Sequence, residues 1–266
     1  MNFLPVKLLK MVKLFYISVL IVFVFISCSD QQDDTHRKTV ADTLNVTFIP
    51  NQTIRLYGDK GLITIWGDTN RTRWQAIAYK TVEDAEEATA LAILNSKQIQ
   101  VIDLIDGYRF EAPKDTASDY SFYCDFELFL PRETALTIDH ELGNIQIQDI
   151  TGNCEIAVNV GNVYVDYVAA PVFKLILVVG NLNGRLNSVA TPQWDMEIST
   201  GNVDLWVPKN ISAMITCRAT SGTINYTNLN MLLLENQIGR IVGKNYLGEG
   251  QILVDVIVGN IMLIGY

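Results

Sequence analysis

The sequence predicts an all-β protein: a right-handed β-solenoid of the single-stranded type, about 20 residues per coil, with a small mixed α/β segment at its N-terminal end. Three observations predict it. A glycine-centred motif recurs through the second half of the chain, apolar residues alternate with period 2 around each of those glycines, and asparagine follows most of them.

The motif reads LGNIQI, VGNVYV, VGNLNG, TGNVDL, SGTINY, IGRIVG and VGNIML, centred on Gly143, Gly161, Gly180, Gly201, Gly222, Gly239 and Gly259. Successive glycines are 18, 19, 21, 21, 17 and 20 residues apart, the length of one coil stacked on the next at the strand spacing of ~4.8 Å. One, three, five and seven positions before the glycines, 24 of 28 residues are apolar; two, four and six positions before, only 6 of 21 are. Strands produce that pattern by sending successive side chains to opposite faces. The column seven before glycine holds Leu136, Cys154, Phe173, Trp194, Ile215, Leu232 and Ile252, and the column two after it holds Ile145, Val163, Leu182, Val203, Ile224, Ile241 and Ile261. Each coil therefore has one strand ending at the glycine and one starting after it, both facing a shared interior.

Glycine suits the corner because it enters positive-φ conformations at low cost. Asn144, Asn162, Asn181, Asn202 and Asn260 follow it in five turns. Stacked at one coil position, they are placed to pass amide hydrogen bonds from turn to turn.

Before the repeats, GLITIWGD (residues 61–68) has the same form and reads as an outlying first coil. RWQAIAYK reads as a strand. VEDAEEATALAILNSK combines an acidic start with spaced apolar residues, which suits a helix. QIQVIDLIDGYRFEA reads as a hairpin turning at Asp106-Gly107, and SFYCDFELFLP as a further strand.

The first residues read as an address. Lys7, Lys10 and Lys13 precede an uncharged apolar run over residues 14–27. Its 14 residues fall short of the roughly 20 that a spanning helix needs, so residues 1–27 read as a signal peptide. Met11 also opens a compact signal by itself. The run ends FISC, which resembles the lipobox of bacterial lipoproteins. That resemblance implies acylation of Cys28, attachment to a membrane through the lipid, and a place in the bacterial cell envelope, the outer membrane foremost. Residues 28–40 are polar and without periodicity and read as a tether, in which Asp30, Asp33 and Asp34 resemble a surface-export signal. The solenoid domain then spans residues 41–266, with the outlying coil, helix and hairpin in 41–131 and regular coils in 132–266.

SFYCDFELFLP followed by TALTIDHELGNIQIQDITGNCEIAVNVGNVYVD resembles the bacterial putative-adhesin family, domains of unknown function that are similar to auto-transporter adhesin heads. The resemblance spans residues 44–266. It implies a β-solenoid in an envelope protein and assigns no catalytic residue.

The chemistry the chain excludes is as informative. A formal net charge of −9 leaves no basic face for nucleic acid, whose binding draws on phosphate neutralisation. Of two histidines, His36 lies in the tether and His140 on a core column, so no Ser-His-Asp arrangement is available. Cys124, Cys154 and Cys217 show no metal-ligand spacing, and Cys154 and Cys217 fall on inward columns, too many coils apart to form a disulfide. Asp103 with Asp106, and Asp115 with Asp119, read as turn and loop residues rather than calcium ligands. No cofactor or metal is expected. The outward Asp166, Lys174, Arg185, Asp195, Asp204 and Arg218 offer the residue types of a polysaccharide lyase without its clustering. Non-catalytic binding, adhesion or scaffolding at the envelope is the favoured reading; a polysaccharide-active enzyme and a signalling or structural envelope protein are the alternatives. Exposed Tyr164, Tyr167 and Trp206 would suit an envelope protein or a carbohydrate as partner. The C-terminal coil, which ends unfinished, is expected to offer a surface for self-association.

Overall fold

The computed structural model describes residues 24–25, 37–47, 52–83, 86–116 and 120–266. Those residues are nearly all β, with two mixed sheets of 11 strands each and one helix. Neither sheet closes into a barrel.

The repeats build both sheets at once. Strands ending at a glycine enter the long-strand sheet: β3 (Thr53–Lys60), β9 (Ala135–Leu142), β11 (Cys154–Val160), β13 (Val172–Val179), β15 (Gln193–Thr200), β17 (Ala213–Ser221) and β21 (Gly250–Val258). Strands starting after the glycine enter the short-strand sheet: β4 (Ile63–Asp68), β10 (Ile145–Gln148), β12 (Val163–Val168), β14 (Leu182–Leu186), β16 (Val203–Val207), β18 (Ile224–Thr227) and β22 (Ile261–Gly265). All pair in parallel, with equivalent positions opposite one another: Leu136, Cys154, Phe173, Trp194, Ile252 and Ile215 fall on successive partners. The alternation buries one face of each sheet in a common core that includes Leu136, Cys154, Phe173, Trp194, Ile215 and Ile252 from one side and Ile145, Val163, Leu182, Val203 and Ile261 from the other.

The order of the stack departs from chain order. The final unit, β21–β22, lies between β15–β16 and β17–β18 in both sheets. The C-terminal unit is therefore flanked on both sides, so the coil end expected to be open is paired. Gly239 also differs from the other glycines. It sits with φ 74° in the turn between β19 (Met231–Gln237) and β20 (Arg240–Asn245), an antiparallel hairpin that folds back onto β17. It turns a hairpin, so Leu232, placed by spacing on the inward column, is 65% exposed.

The other strands bring antiparallel pairings into both sheets, so the sheets are mixed and not clearly of a single-stranded type. β2 (Arg37–Thr47), β5 (Arg73–Glu83) and β8 (Ser121–Pro131) run antiparallel beside β4, with β8 its parallel neighbour. β1 (Val24–Phe25) pairs with β2, and β6 (Gln100–Leu104) and β7 (Gly107–Glu111) form a hairpin against β3. Residues 37–40, assigned to the tether from sequence, lie in β2, because they pair with residues 80–83 of β5. Helix α1 (Glu87–Ser96) buries Ala90 and Leu94. Its end is tied to the sheet by buried Lys80, whose Nζ donates to the carbonyls of Leu94 and Lys97 and pairs with Asp42 at 2.7 Å. A buried ammonium requires such partners.

A candidate ligand-binding groove on the short-strand sheet

The corner between the two sheets is a backbone device. Gly143, Gly161, Gly180, Gly201, Gly222 and Gly259 have φ between 141° and 155°. Each stacks so closely that a Cβ would overlap the carbonyl oxygen of the glycine one strand over, as at Gly201 on Gly180. The asparagines beside them form a continuous ladder. The backbone N–H of Asn162, Asn181, Asn202 and Asn260 donates to the side-chain oxygen of Asn144, Asn162, Asn181 and Asn202 in turn, at 2.8–3.0 Å. Thr223 closes the ladder on Asn260 at 2.9 Å. The ladder follows the spatial order of the units, not their chain order. Its amides are engaged with one another, which makes it a part of the scaffold.

On the outer face of the short-strand sheet stand two side-chain columns, open to solvent except at buried Thr64. Three positions after the glycines stand Thr64, Gln146, Tyr164, Asn183 and Asp204; five positions after stand Trp66, Gln148, Asp166, Arg185 and Trp206. All of them but Asp204 line an open groove of about 570 Å³, with Tyr266 at one side, a size within the range of small-molecule sites. The floor is made of paired strands, so its backbone groups are satisfied and recognition falls to side chains.

Two features make the groove more than a polar surface. Trp66 stacks on Phe129 of β8 with ring centroids 4.8 Å apart and planes 16° from parallel; Arg71 lies 5.3 Å over the same Phe129. One indole face is thus backed and held. In the same column Arg185 is bracketed by two rings, its guanidinium carbon 4.5 Å from the centroid of Tyr167 and 4.3 Å from that of Tyr266. Nη1 donates to the Tyr167 hydroxyl at 2.9 Å, while Nε is enclosed without a partner. Tyr167 reaches this position through a bulge between Val165 and Val168 and a left-handed backbone, φ 54°. A tyrosine in that conformation is strained, and such strain concentrates at functional sites. Tyr266 is fixed by its hydroxyl, which bonds the Leu186 carbonyl at 3.2 Å and the Asn187 side chain at 2.8 Å. Among the described residues, neither Arg185 nor Asp166 forms an ion pair.

The structure separates the other charged residues considered from sequence. Lys174 pairs with Glu155 and Arg218 with Asp255 on the long-strand sheet, away from Asp166, Arg185 and Asp204. Asp195 also lies on the long-strand sheet. Asp106 receives both arms of Arg55 at 2.6 and 3.1 Å, which lowers its pKa below the usual carboxylate value. Asp115 accepts from the Phe122 backbone at 3.2 Å; Asp119 lies outside the described residues. No group of three or more His, Cys, Asp or Glu is arranged to hold a metal among the described residues. His140 is buried, with Nε2 2.7 Å from the Gly61 carbonyl. Cys124, Cys154 and Cys217 are buried free thiols; desolvation pushes Cys154 and Cys217 up to about 12, and Cys124 higher still. Cys28 lies outside the described residues.

Trp66, Gln146, Gln148, Asn183 and Tyr266 were not singled out from sequence. The signal that would have found four of them is the pair of outward columns after the glycines: Gln146 and Asn183 stand three positions after Gly143 and Gly180, and Trp66 and Gln148 five positions after Gly61 and Gly143.

No protein-family description and no curated protein matches this chain. Among solved structures, it is similar to a putative cell adhesion protein from Clostridium sporogenes, at 14% identity and TM-score 0.47 over 85% of this chain and 100% of the other. It is also similar to putative adhesins from Bacteroides fragilis (13% identity, TM-score 0.28, 84% of this chain and 96% of the other) and Parabacteroides distasonis (9%, 0.25, 85% and 97%). At that level of similarity they carry no argument about what this chain does.

Proposed function

We propose that the chain is a non-catalytic binding module of the bacterial cell envelope that serves adhesion, that its repeats coil as a solenoid, and that acylated Cys28 anchors it to a membrane. The observation that carries this reading is the groove. It gathers exposed and half-buried aromatic rings, amide side chains and two charges without ion-pair partners on a rigid floor, the composition of a recognition surface. The stacked repeats supply the rigidity, and the FISC junction supplies the address.

Two variants of the whole chain test it. Cys28→Ser should shift the protein from the detergent-rich to the aqueous phase on detergent partitioning, because stable anchoring takes more than one acyl chain's worth of burial; unchanged partitioning rejects the lipid anchor. Trp66→Ala with Trp206→Ala should lower saturable attachment of the labelled Cys28→Ser protein to intact envelopes. Attachment equal to that of the parent would show that the groove is not the binding surface.

A further inference from the structure

We infer that the groove takes an uncharged glycan chain laid across the strands, an inference that rests on the binding-module reading above. The geometry is that of an elongated floor with an aromatic platform towards each end. Trp66 on β4 and Trp206 on β16 occupy the same column four strand steps apart, about 19 Å at ~4.8 Å per step. The faces of indole rings carry negative charge density and attract polarised C–H groups, which a pyranose presents on its flat side. Phe129 covers one face of Trp66, so the indole is held as a one-sided platform.

Between the platforms the floor matches hydroxyls. Gln148 and Asn183 both donate and accept, Asp166 accepts and Arg185 donates, so adjacent sugar hydroxyls can be met from both sides. The Tyr167–Tyr266 bracket orders Arg185 before any ligand arrives, which reduces the entropy lost on binding.

Charge selects among ligand classes. One carboxylate and one guanidinium cancel within the groove, and the chain as a whole carries −9, so polyanionic glycans and nucleic acids gain nothing here and meet long-range repulsion. Extended peptides are recognised by adding a strand to an open sheet edge; this floor consists of strands paired on both sides, and the edges lie elsewhere.

The test uses the full chain in detergent micelles, titrated by calorimetry and tryptophan fluorescence with cellohexaose, xylohexaose, mannohexaose, maltohexaose and hexagalacturonate. Saturable binding of at least one neutral hexasaccharide is expected, with its disaccharide much weaker. Trp66→Ala and Trp206→Ala should each weaken it at least about tenfold. Exposed Gln148→Ala, which leaves the fold untouched, should weaken it about fivefold, the loss of one hydrogen bond. Binding of hexagalacturonate alone, silence with all five probes, or wild-type affinity in all three variants would overturn the inference. If the Trp66→Ala, Trp206→Ala protein still loses envelope attachment while every glycan is silent, the binding module stands and only the ligand class falls.

Discussion

Replacing Trp194 by alanine tests the inward face of the stack most severely. Its indole is fully buried, opposite Phe173 on one side and Ile252 on the other, and its Nε1 donates to the Ala170 carbonyl at 2.9 Å. Deleting a buried indole costs roughly 3–5 kcal/mol in lost transfer energy and residual cavity. The Ala170 carbonyl loses a partner as well, adding about 1 kcal/mol or more where water cannot enter. The expected loss, about 4–6 kcal/mol, is a large share of a typical 5–15 kcal/mol stability. Equilibrium urea unfolding, followed by far-UV circular dichroism, reads it as a drop in midpoint at constant slope. Asp195→Ala, the next residue along and on the opposite face, should stay within about 0.5 kcal/mol. Leu232→Ala is the sharper comparison. Sequence spacing puts Leu232 in the same column as Trp194, whereas the structure exposes it on the hairpin edge, so its loss should also stay within about 0.5 kcal/mol. Equal losses for Trp194→Ala and Asp195→Ala would refute the facing of β15. A loss of several kcal/mol at Leu232 would refute the hairpin.

The corner makes a complementary prediction: Gly201→Ala should abolish soluble expression or cost more than any ladder residue, because the new methyl overlaps the Gly180 carbonyl at φ 148°. Asn181→Ala, which removes the oxygen accepting from Asn202 at 2.9 Å at a solvent-exposed position, should cost only about 1 kcal/mol in the same unfolding assay. Mass spectrometry of non-reduced peptides should find no Cys154–Cys217 crosslink. Their strands are four steps apart through β13, β15 and β21, about 19 Å against the ~7 Å limit for bridged Cα atoms. The same thiols set an alkaline limit. Burial raises Cys154 and Cys217 from 9.0 to about 12, so the stability gained by holding them neutral is present below pH 9 and lost as pH climbs towards 12. An unfolding midpoint flat across that window in the wild type, or equally steep in a Cys154→Ala, Cys217→Ala protein, would show the thiols contribute nothing.

What the sequence disclosed followed from what repeats locally. Period-2 alternation around a fixed glycine marks strand direction and facing, so β9 to β17, β21 and β22 were legible from columns such as Leu136, Cys154, Phe173 and Trp194. The same logic misread Gly239. A two-residue hairpin turn also needs a positive-φ residue between alternating strands, and IGRIVG satisfies both patterns. The antiparallel β2 was missed because its polar residues, such as Lys38, Thr39 and Asp42, suggest solvent. Asp42 instead answers buried Lys80 across the sheet, a partnership 38 positions distant in sequence.

Coil order is a different kind of unknown, and it bears on the groove. Each unit offers its neighbours the same backbone edge, glycine corner and asparagine, so nothing local says which unit lies beside which. Loop closure grows only slowly with length, which lets the β19–β20 hairpin and the following segment carry the last unit back into the stack at little extra cost. In chain order the Gly259 unit would lie three steps from the Gly180 unit, with the Gly201 and Gly222 units between, about 14 Å away. Inserted, β22 is two steps from β14, about 10 Å. That shortening lets the Tyr266 hydroxyl reach Leu186 and Asn187 and its ring cover Arg185. The bracket that orders the groove's one guanidinium is thus a product of the insertion: a chain stacked in sequence order would leave Arg185 covered by Tyr167 alone.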